Sequence, residues 1–360
     1  MTSESEIERM IESFERALQG RPNYAIGMIG LAEVVAGKKH KFRAFELCQK
    51  ALAAGAGDAE IAARARRLLS SLVPGYHVPM MNDARRNAAW SKALRGAIHP
   101  GTHALEIGTG GGMLALIAAR AGAEKVTTCE RDPILANVAR QIIARNGFAD
   151  RIEVIAKASD ALVPGKDIAA PADLLFCDIF GDDLLDFEPL AALADARRRL
   201  TKPDAVVVPA AGAIRLALAE WESYPVRGHV DHASGFDLTS FTDFVPLSIS
   251  VRIGDRGLAL RSEPAEALRF DLAALSQPMQ GRTELALAAT EDAMVNGIVH
   301  WIRLELDAET ILEARPEAGA TFFSSPRFWP LAEAVSMRRG ETLRVAIAHE
   351  EKRLTIWPAR

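Results

Sequence analysis

The chain has 360 residues, of which 49% are hydrophobic and 25% charged, and its formal net charge is −4. This length predicts about two domains with room for a smaller element. A chain without a basic excess is a poor candidate for tight binding to a phosphate backbone, so we expect no nucleic-acid partner.

The cysteines and the N-terminus indicate the compartment. Cys48, Cys129 and Cys177 form no CxxC pair, which argues against a metal site and favours buried thiols in a reducing environment. The N-terminal segment MTSESEIERMIESFERAL lacks the basic start and apolar core of a signal peptide. The sequence has no run of about 18 apolar residues, which is the length that would predict a membrane span. We therefore expect a cytoplasmic protein with no metal and no membrane partner.

Residues 1–73 have a helical pattern. Ile7, Met10, Ile11 and Phe14 recur at helical spacing, and glycines that follow AFELCQKALAA are expected to end a helix. The segment is typical of helix-turn-helix units and suggests a region similar to tetratricopeptide repeats. One or two such hairpins are too few for a free-standing solenoid, so we expect them to pack on the next domain.

Residues 74–211 alternate strands with helices. A helix from about Asp83 to Ala97, capped by Asn82 or Asp83, comes first. The strand-like runs HALEIG, KVTTCE, IEVIAK, ADLLFCDIF and AVVVPAAG then alternate with the helical runs MLALIAARAG, PILANVARQIIARNG and PLAALADARRRL. This order predicts an α/β, Rossmann-like domain with a parallel sheet and helices on both faces.

Residues 212–360 form the third predicted region, in which short strand-like runs replace the helices. The runs are LSISVRIG, TELALAAT, GIVHWIRLELD, TLRVAIAHE and RLTIWPA, and turn residues separate them. The pattern predicts an antiparallel β domain, similar to a barrel, that contributes to substrate binding.

The segment EIGTGGGM, residues 106–113, is the strongest motif and links a predicted strand to a predicted helix. Its glycines follow the pattern GxGxG, whereas a dinucleotide fingerprint GxGxxG would require glycine at Met113. Glu106 precedes the first glycine, and Glu130 ends the next strand, where a ribose diol is expected. S-adenosylmethionine has a ribose, an ammonium and a carboxylate but no pyrophosphate. The motif therefore favours S-adenosylmethionine over a dinucleotide; surface acids beside a structural turn are the alternative.

Several blocks resemble the protein arginine N-methyltransferases, a family of class I methyltransferases that use S-adenosylmethionine. They are ALEIGTGGGMLAL, AGAEKVTTCE, NGFADRIEVIAKAS and the upstream block YHVPMMNDARRNAAW at residues 76–90. The resemblance covers about residues 74–360. It implies that Arg86 binds the cofactor carboxylate, that Met80 flanks the sulfonium methyl and that Ser159 contacts adenine. The implied cofactor-binding set is Met80, Arg86, Glu106, Gly108, Gly110, Glu130 and Ser159, with His77 near the cofactor and the catalytic loop.

The segment CDIFGDDLLDFEP, residues 177–189, takes the place of a family loop that holds the acceptor with two glutamates. Asp178 falls on the first glutamate and Phe187 on the second, with Asp186 and Glu188 on either side. Carboxylates orient a guanidinium and leave its attacking nitrogen more nucleophilic. We take Asp178, Glu188 and His77 as catalytic candidates, keep Asp186 as the alternative to Glu188, and expect Asp182 and Asp183 to be solvated.

Two further departures from the family pattern leave the function open. Arg327-Phe328-Trp329 stands where the family has Thr-His-Trp, so the tryptophan is kept and the histidine lost. Residues 224–236 are short and polar where the family has a dimerisation arm, so a homodimer stays open. The preferred function is N-methylation of an arginine guanidinium in a protein or a small molecule. Methylation of a different small-molecule acceptor, binding of S-adenosylmethionine without catalysis, and dinucleotide oxidoreduction are the alternatives.

Overall fold

The N-terminal part of the protein is helical. The computed structural model describes residues 9, 11–14, 16–17, 24–37, 40–186, 188–222, 224, 230–251, 257–274, 281–316, 324–350 and 353–359. Ile11 and Phe14 are helical as predicted, whereas Ile7 and Met10 lie outside the described residues. Three further helices follow: α1 (Ala25–Val35), α2 (Lys41–Ala54) and α3 (Ala59–Leu72).

These helices share a core of their own that also reaches the next domain. Ile29, Phe45 and Ile61 are buried at its centre, and Ile134 of a later helix, α7 (Pro133–Arg145), completes it. The predicted packing of the helices on the next domain is therefore confirmed. Gly55 ends α2, as the glycines predicted. The similarity to tetratricopeptide repeats stays a prediction.

A parallel sheet forms the centre of the molecule, which confirms the predicted Rossmann-like fold. Its strands are β1 (His103–Ile107), β2 (Lys125–Cys129), β3 (Ile152–Ile155), β4 (Ala172–Cys177) and β5 (Thr201–Val208). In the described residues their order is β3-β2-β1-β4-β5. Because β2 and β4 lie on opposite sides of β1, the strand order reverses there, and a crevice is expected beyond the carboxyl ends of these strands.

Helices cover this sheet and begin at residues that the sequence marks. Asp83 accepts a hydrogen bond from the Arg86 backbone N–H, and Asp132 with Pro133 starts α7. Of the two predicted caps, Asp83 is thus the one used. The remaining helices of this part are α4 (His77–Met81), α5 (Ala84–Ala97), α6 (Met113–Ala121) and α8 (Pro189–Leu200).

Antiparallel strands follow from residue 211, as the alternation predicted. The strands are β6 (Ala211–Trp221), β7 (His232–Ala233), β8 (Phe236–Asp237), β9 (Ile249–Ser250), β10 (Leu258–Leu260), β11 (Ala265–Asp271), β12 (Gly281–Ala288), β13 (Ala293–Glu305), β14 (Ile311–Glu313), β15 (Arg327–Met337), β16 (Thr342–Glu350) and β17 (Arg353–Pro358). Within the described residues the larger sheet has the order β10-β6-β13-β15-β9, with β11 paired to β6 and β14 to β13. Two smaller groups, β12-β16-β17 and β7-β8, pair separately. Closure into a barrel and the domain boundaries stay predictions.

The segment that stands for the dimerisation arm lies only partly within the described residues. Residues 223 and 225–229 fall outside them, and a 3-10 helix, Thr239–Phe244, follows β8. All three cysteines are buried and free, as expected from their spacing. Among the described helices, each is too short or too polar to cross a bilayer.

Candidate active site

The glycine loop, residues 106–113, lies at the carboxyl end of β1. It contacts the start of the acidic loop, residues 177–189. Gly108 has φ +83°, and a Cβ there would lie 2.3 Å from Cγ2 of Ile179. The backbone N–H groups of Gly108 and Thr109 both donate to the carbonyl of Cys129, at 2.9 and 3.1 Å. Ile179 follows Asp178 directly, so the proposed cofactor loop and acceptor loop are in contact.

Glu130 lies just beyond β2 and its carboxylate is held in place by two backbone amides. One oxygen accepts from the Gly110 N–H at 3.0 Å and the other from the Asp132 N–H at 2.9 Å. The residue is only 8% exposed. Each carboxylate oxygen has a further lone pair, which allows Glu130 to accept hydrogen bonds from a diol.

Glu106 is a buried acid behind the glycine loop. It is 1% exposed and accepts one hydrogen bond, at 2.6 Å, from the hydroxyl of Thr128. Burial raises the pKa of Glu106 to about 8, with a smaller contribution from the negative charge of Glu130. The hydrogen bond from Thr128 and the positive charge of Arg86 partly offset this rise in pKa. Glu106 is therefore mostly protonated at neutral pH, and a cation at its carboxyl would favour the ionised form.

Helix α4 covers the glycine loop with two side chains. A Cβ on Gly110 would lie 3.8 Å from the ring of His77, and one on Gly111 would lie 2.6 Å from Sδ of Met81. Both ring nitrogens of His77 are buried without a hydrogen-bond partner among the described residues, and burial lowers its pKa. His77 thus lies beside the glycine loop. Met81 was not among the predicted residues, although it neighbours Met80 in the same short helix.

Arg86 and Asp178 form a buried ion pair that the sequence did not predict. Nε and Nη2 of Arg86 lie 2.6 and 2.5 Å from Oδ2 of Asp178, and the two side chains are 3% and 7% exposed. Nη1 of Arg86 also donates to the side chain of Asn87. The family resemblance assigned Arg86 to the cofactor and Asp178 to the acceptor.

Ser159 begins a short 3-10 helix, Ser159–Ala161, beyond β3 and is 8% exposed. Arg199 of α8 donates to the carbonyls of Ser159 and Leu162 at 3.1 and 2.8 Å. Its Nε donates to Asp195 at 2.8 Å. Arg199 therefore fixes the turn that the resemblance assigns to adenine.

The five carboxylates of the acidic loop differ in burial and in hydrogen-bond partners. The prediction that Asp182 is solvated is wrong, because its carboxylate accepts from the Ser325 N–H at 2.8 Å and burial raises its pKa. Asp183 instead stabilises the turn by accepting from two backbone amides. Asp186 and Glu188 are exposed, and Glu188 is the N-cap of α8 with φ +58°. Phe187 lies outside the described residues.

His300 of β13 also contacts this loop and was not predicted. Its Nδ1 accepts from the indole N–H of Trp329 at 2.7 Å, and its Nε2 lies 3.2 Å from the carbonyl oxygen of Asp182. The tryptophan kept from the Thr-His-Trp pattern thus has a histidine partner on another strand. An isolated histidine in a run of apolar residues is a weak signal, so sequence patterns did not indicate its role.

Comparisons with known proteins identify the family. A family model described as ribosomal protein L11 methyltransferase (PrmA) matches residues 91–214. An arginine N(omega)-methyltransferase from Streptomyces achromogenes subsp. streptozoticus is 34% identical over 286 residues, 79% of this chain and 78% of that protein. The chain belongs to the arginine N-methyltransferase family. It is therefore an S-adenosylmethionine-dependent methyltransferase, as the motifs predicted.

Other members of the family agree with this identification. Protein arginine N-methyltransferase 7 of Oryza sativa subsp. indica is 28% identical over 275 residues, and these cover 70% of this chain but 37% of that protein. In fold, the chain is similar to the Trypanosoma brucei PRMT1 enzyme-prozyme complex with AdoHcy, with TM-score 0.69 and 23% identity over 80% of this chain and 93% of that one. Arabidopsis thaliana protein arginine methyltransferase 10 gives TM-score 0.62 at 16% identity, over 78% and 95%.

The residues around the glycine loop of this arginine N-methyltransferase are compatible in chemistry with the polar groups of the methyl donor. Gly108 leaves no room for a side chain, and the ring nitrogens of His77 are buried with no described partner. Glu130 presents a carboxylate that its neighbours already orient. A buried acid, Glu106, lies beside these groups, where the ammonium of the donor would favour its ionised form.

Proposed function

We propose that this enzyme transfers a methyl group to a guanidinium nitrogen of arginine, held by the acidic loop. The observation that carries the proposal is the position of Asp178. Its carboxylate already binds a guanidinium, that of Arg86, at 2.5 and 2.6 Å. It also directly precedes Ile179, which packs against Gly108 of the glycine loop. A guanidinium on Asp178 would therefore lie next to the methyl donor.

Residues of the chain orient the two reactants. S-adenosylmethionine supplies an electrophilic methyl group. In this proposal Met80 flanks that methyl group, and Arg86 exchanges Asp178 for the carboxylate of the donor, since its fork of N–H groups fits either partner. Asp178 then becomes available to the acceptor. Its charge orients the guanidinium and draws positive charge away from the attacking nitrogen.

We infer that Asp186 is the second carboxylate at the acceptor, in preference to Glu188. The loop folds back on itself, so that a Cβ on Gly181 would lie 2.5 Å from Cβ of Asp186. Surrounding protein and the carboxylates of Asp183 and Asp182 raise the pKa of Asp186, although the residue still contacts solvent. A bound cation relieves this repulsion between acids, which favours a guanidinium there.

Two variants separate these candidates because each replaces one carboxylate with an amide of equal size. Asp186→Asn is expected to raise KM for arginine about tenfold or more, as expected when a charged hydrogen bond is lost. Glu188→Gln is expected to change KM by less than about threefold. The reverse order of effects would assign the second carboxylate to Glu188.

An acceptor panel tests the reaction itself. The enzyme is incubated with S-adenosylmethionine and free arginine, an arginine-containing peptide or, as the cationic control, lysine, and products are analysed by mass spectrometry. We expect methylarginine with an arginine acceptor, no methyllysine, and loss of product in Asp178→Asn. Methylation of lysine at an equal rate, or full turnover by the variant, contradicts the proposal.

We also propose that the protein forms a homodimer through an apolar surface made by β8 and the residues after it. Phe236, Phe241, Phe244 and Leu247 are 69%, 65%, 78% and 73% exposed within twelve residues of chain. Clustered exposed aromatic side chains support a protein interface. Light scattering is expected to give a dimer for the wild type and a monomer for Phe244→Glu. A monomeric wild type at micromolar concentration refutes this proposal.

A further inference from the structure

His300 is a polar side chain in a buried stretch of β13 in the antiparallel sheet. Residues Ile298–Ile302 of β13 are all buried, and His300 itself is 0% exposed. A buried polar ring is costly unless its nitrogens are hydrogen-bonded. Both nitrogens of His300 are satisfied, by the Trp329 indole at 2.7 Å and the Asp182 carbonyl at 3.2 Å.

The two partners of His300 fix its tautomer. The indole of Trp329 can only donate and the carbonyl of Asp182 can only accept, so Nδ1 is the acceptor and Nε2 carries the proton. Burial lowers the pKa of His300 to about 3, which keeps the ring neutral at physiological pH. His300 therefore binds the acidic loop without adding a positive charge that would compete with a cationic acceptor.

The loop is held on the same side by a second contact at Asp182. Its carboxylate accepts from the Ser325 N–H at 2.8 Å and lies 3.7 Å from Nη1 of Arg327. Arg327 donates in turn to the Ser248 hydroxyl at 2.9 Å. The antiparallel sheet thus holds both the backbone and the side chain of Asp182, midway between the carboxylates proposed to bind the acceptor.

We propose that His300, through its hydrogen bonds to Trp329 and to the Asp182 carbonyl, is a positioning residue that sets the geometry of the acceptor loop. It touches neither reactant. The hydrogen bond to Asp182 fixes the loop where it turns back, and thereby fixes the separation of Asp178 from Asp186. This inference rests on the proposed function of the acidic loop.

The test compares four variants by steady-state kinetics with arginine and by calorimetry with S-adenosylhomocysteine. His300→Leu removes both hydrogen bonds, His300→Gln offers an amide donor and acceptor in their place, and Trp329→Phe removes the indole donor alone. Trp301→Phe is the matched control. Trp301 neighbours His300 in β13, is fully buried, and donates at 2.7 Å to Glu313, away from the loop.

We expect His300→Leu to raise KM for arginine about tenfold or more while Kd for S-adenosylhomocysteine changes by less than about twofold. His300→Gln is expected to recover most of the loss. Trp329→Phe is expected to raise KM in the same direction, and Trp301→Phe to lower the melting temperature without changing KM. Trp329→Phe keeps the test valid if His300→Leu does not fold, because it leaves the histidine in place.

Two results would overturn the proposal, and they differ from failure of the proposed function. One is an unchanged KM for arginine in folded His300→Leu or, if that variant does not fold, in Trp329→Phe. The other is an equal rise in KM in Trp301→Phe. Asp178→Asn is measured beside them: if its KM for arginine is also unchanged, the acidic loop is not the acceptor site at all. If Asp178→Asn alone is impaired, only the role of His300 is wrong.

Discussion

Replacing Asp178 with Asn is expected to destabilise the enzyme and, at the same time, to increase the stabilisation that the cofactor provides. The carboxylate balances the charge of Arg86 in a pair whose side chains are 3% and 7% exposed. Removing one partner of such a pair costs about 3–5 kcal/mol, because the other charge stays buried. Asn keeps one oxygen that can accept a hydrogen bond, so we expect the lower end, about 3 kcal/mol. For a chain of 360 residues that is a fall in Tm of roughly 4 °C.

The same substitution is expected to change how strongly the cofactor stabilises the enzyme. Without Asp178, Arg86 is free to bind the carboxylate of the donor, so saturating S-adenosylhomocysteine is expected to raise Tm more in the variant than in the wild type. Differential scanning calorimetry with and without the ligand measures both effects. Glu220→Gln is the control, since the Glu220–Arg261 pair of the antiparallel part is about a quarter exposed and its loss should cost less than about 1 kcal/mol.

Two results would refute this reasoning. A Tm equal to that of the wild type in the absence of ligand would mean that the buried ion pair does not form in solution. An equal ligand-induced shift in both proteins would mean that Arg86 does not bind the donor carboxylate. The second result would leave the ion pair intact and remove only the exchange of partners.

Three further predictions concern the cofactor side. The pKa of Glu106 is raised from 4.5 to about 8, so between these pH values the unfolded chain loses its proton more readily and the folded state becomes less stable as pH rises. Glu106→Gln removes this effect and should raise Tm at pH 8 but not at pH 4. Equal shifts in Tm at the two pH values would contradict the prediction. Gly108→Ala places a Cβ 2.3 Å from Ile179 at φ +83° and should lower the free energy of unfolding by about 2 kcal/mol or more, as measured with denaturant. Gly110→Ala should lower it by less, because the nearest atom to a Cβ there is 3.8 Å away. Glu130→Gln should weaken S-adenosylhomocysteine about tenfold by calorimetry, and an unchanged Kd would exclude the ribose role.

The parts of the fold that local sequence determines were predictable. Each strand of the parallel sheet was indicated by a strand-like run, and Asp83 and Asp132 marked helix starts because their side chains accept from the first free N–H groups. The positions of Gly108 and Glu130 at the ends of β1 and β2 could be predicted, since the spacing within a strand-turn-helix unit fixes where such residues lie. For the same reason the glycine loop was the most informative motif.

Contacts between distant segments could not be predicted. Arg86 and Asp178 are 92 residues apart in sequence, and no periodicity links the start of α5 to the end of β4. His300 and Asp182 are 118 residues apart. The prediction of a solvated Asp182 was wrong because an acidic run looks exposed in sequence, whereas Ser325, just before β15, and Arg327, at its start, supply an N–H and a guanidinium to this one carboxylate.

The most direct test of the central claim is to follow the methyl carbon. The enzyme is supplied with S-adenosylmethionine labelled with 13C in the methyl group and with arginine labelled with 15N in the guanidinium, and the product is examined by NMR. We predict a one-bond coupling between the labelled methyl carbon and a guanidinium nitrogen, present in the wild type and absent in Asp178→Asn. A labelled methyl group on the α-amine or the carboxylate, or the same coupling in the variant, would contradict the account.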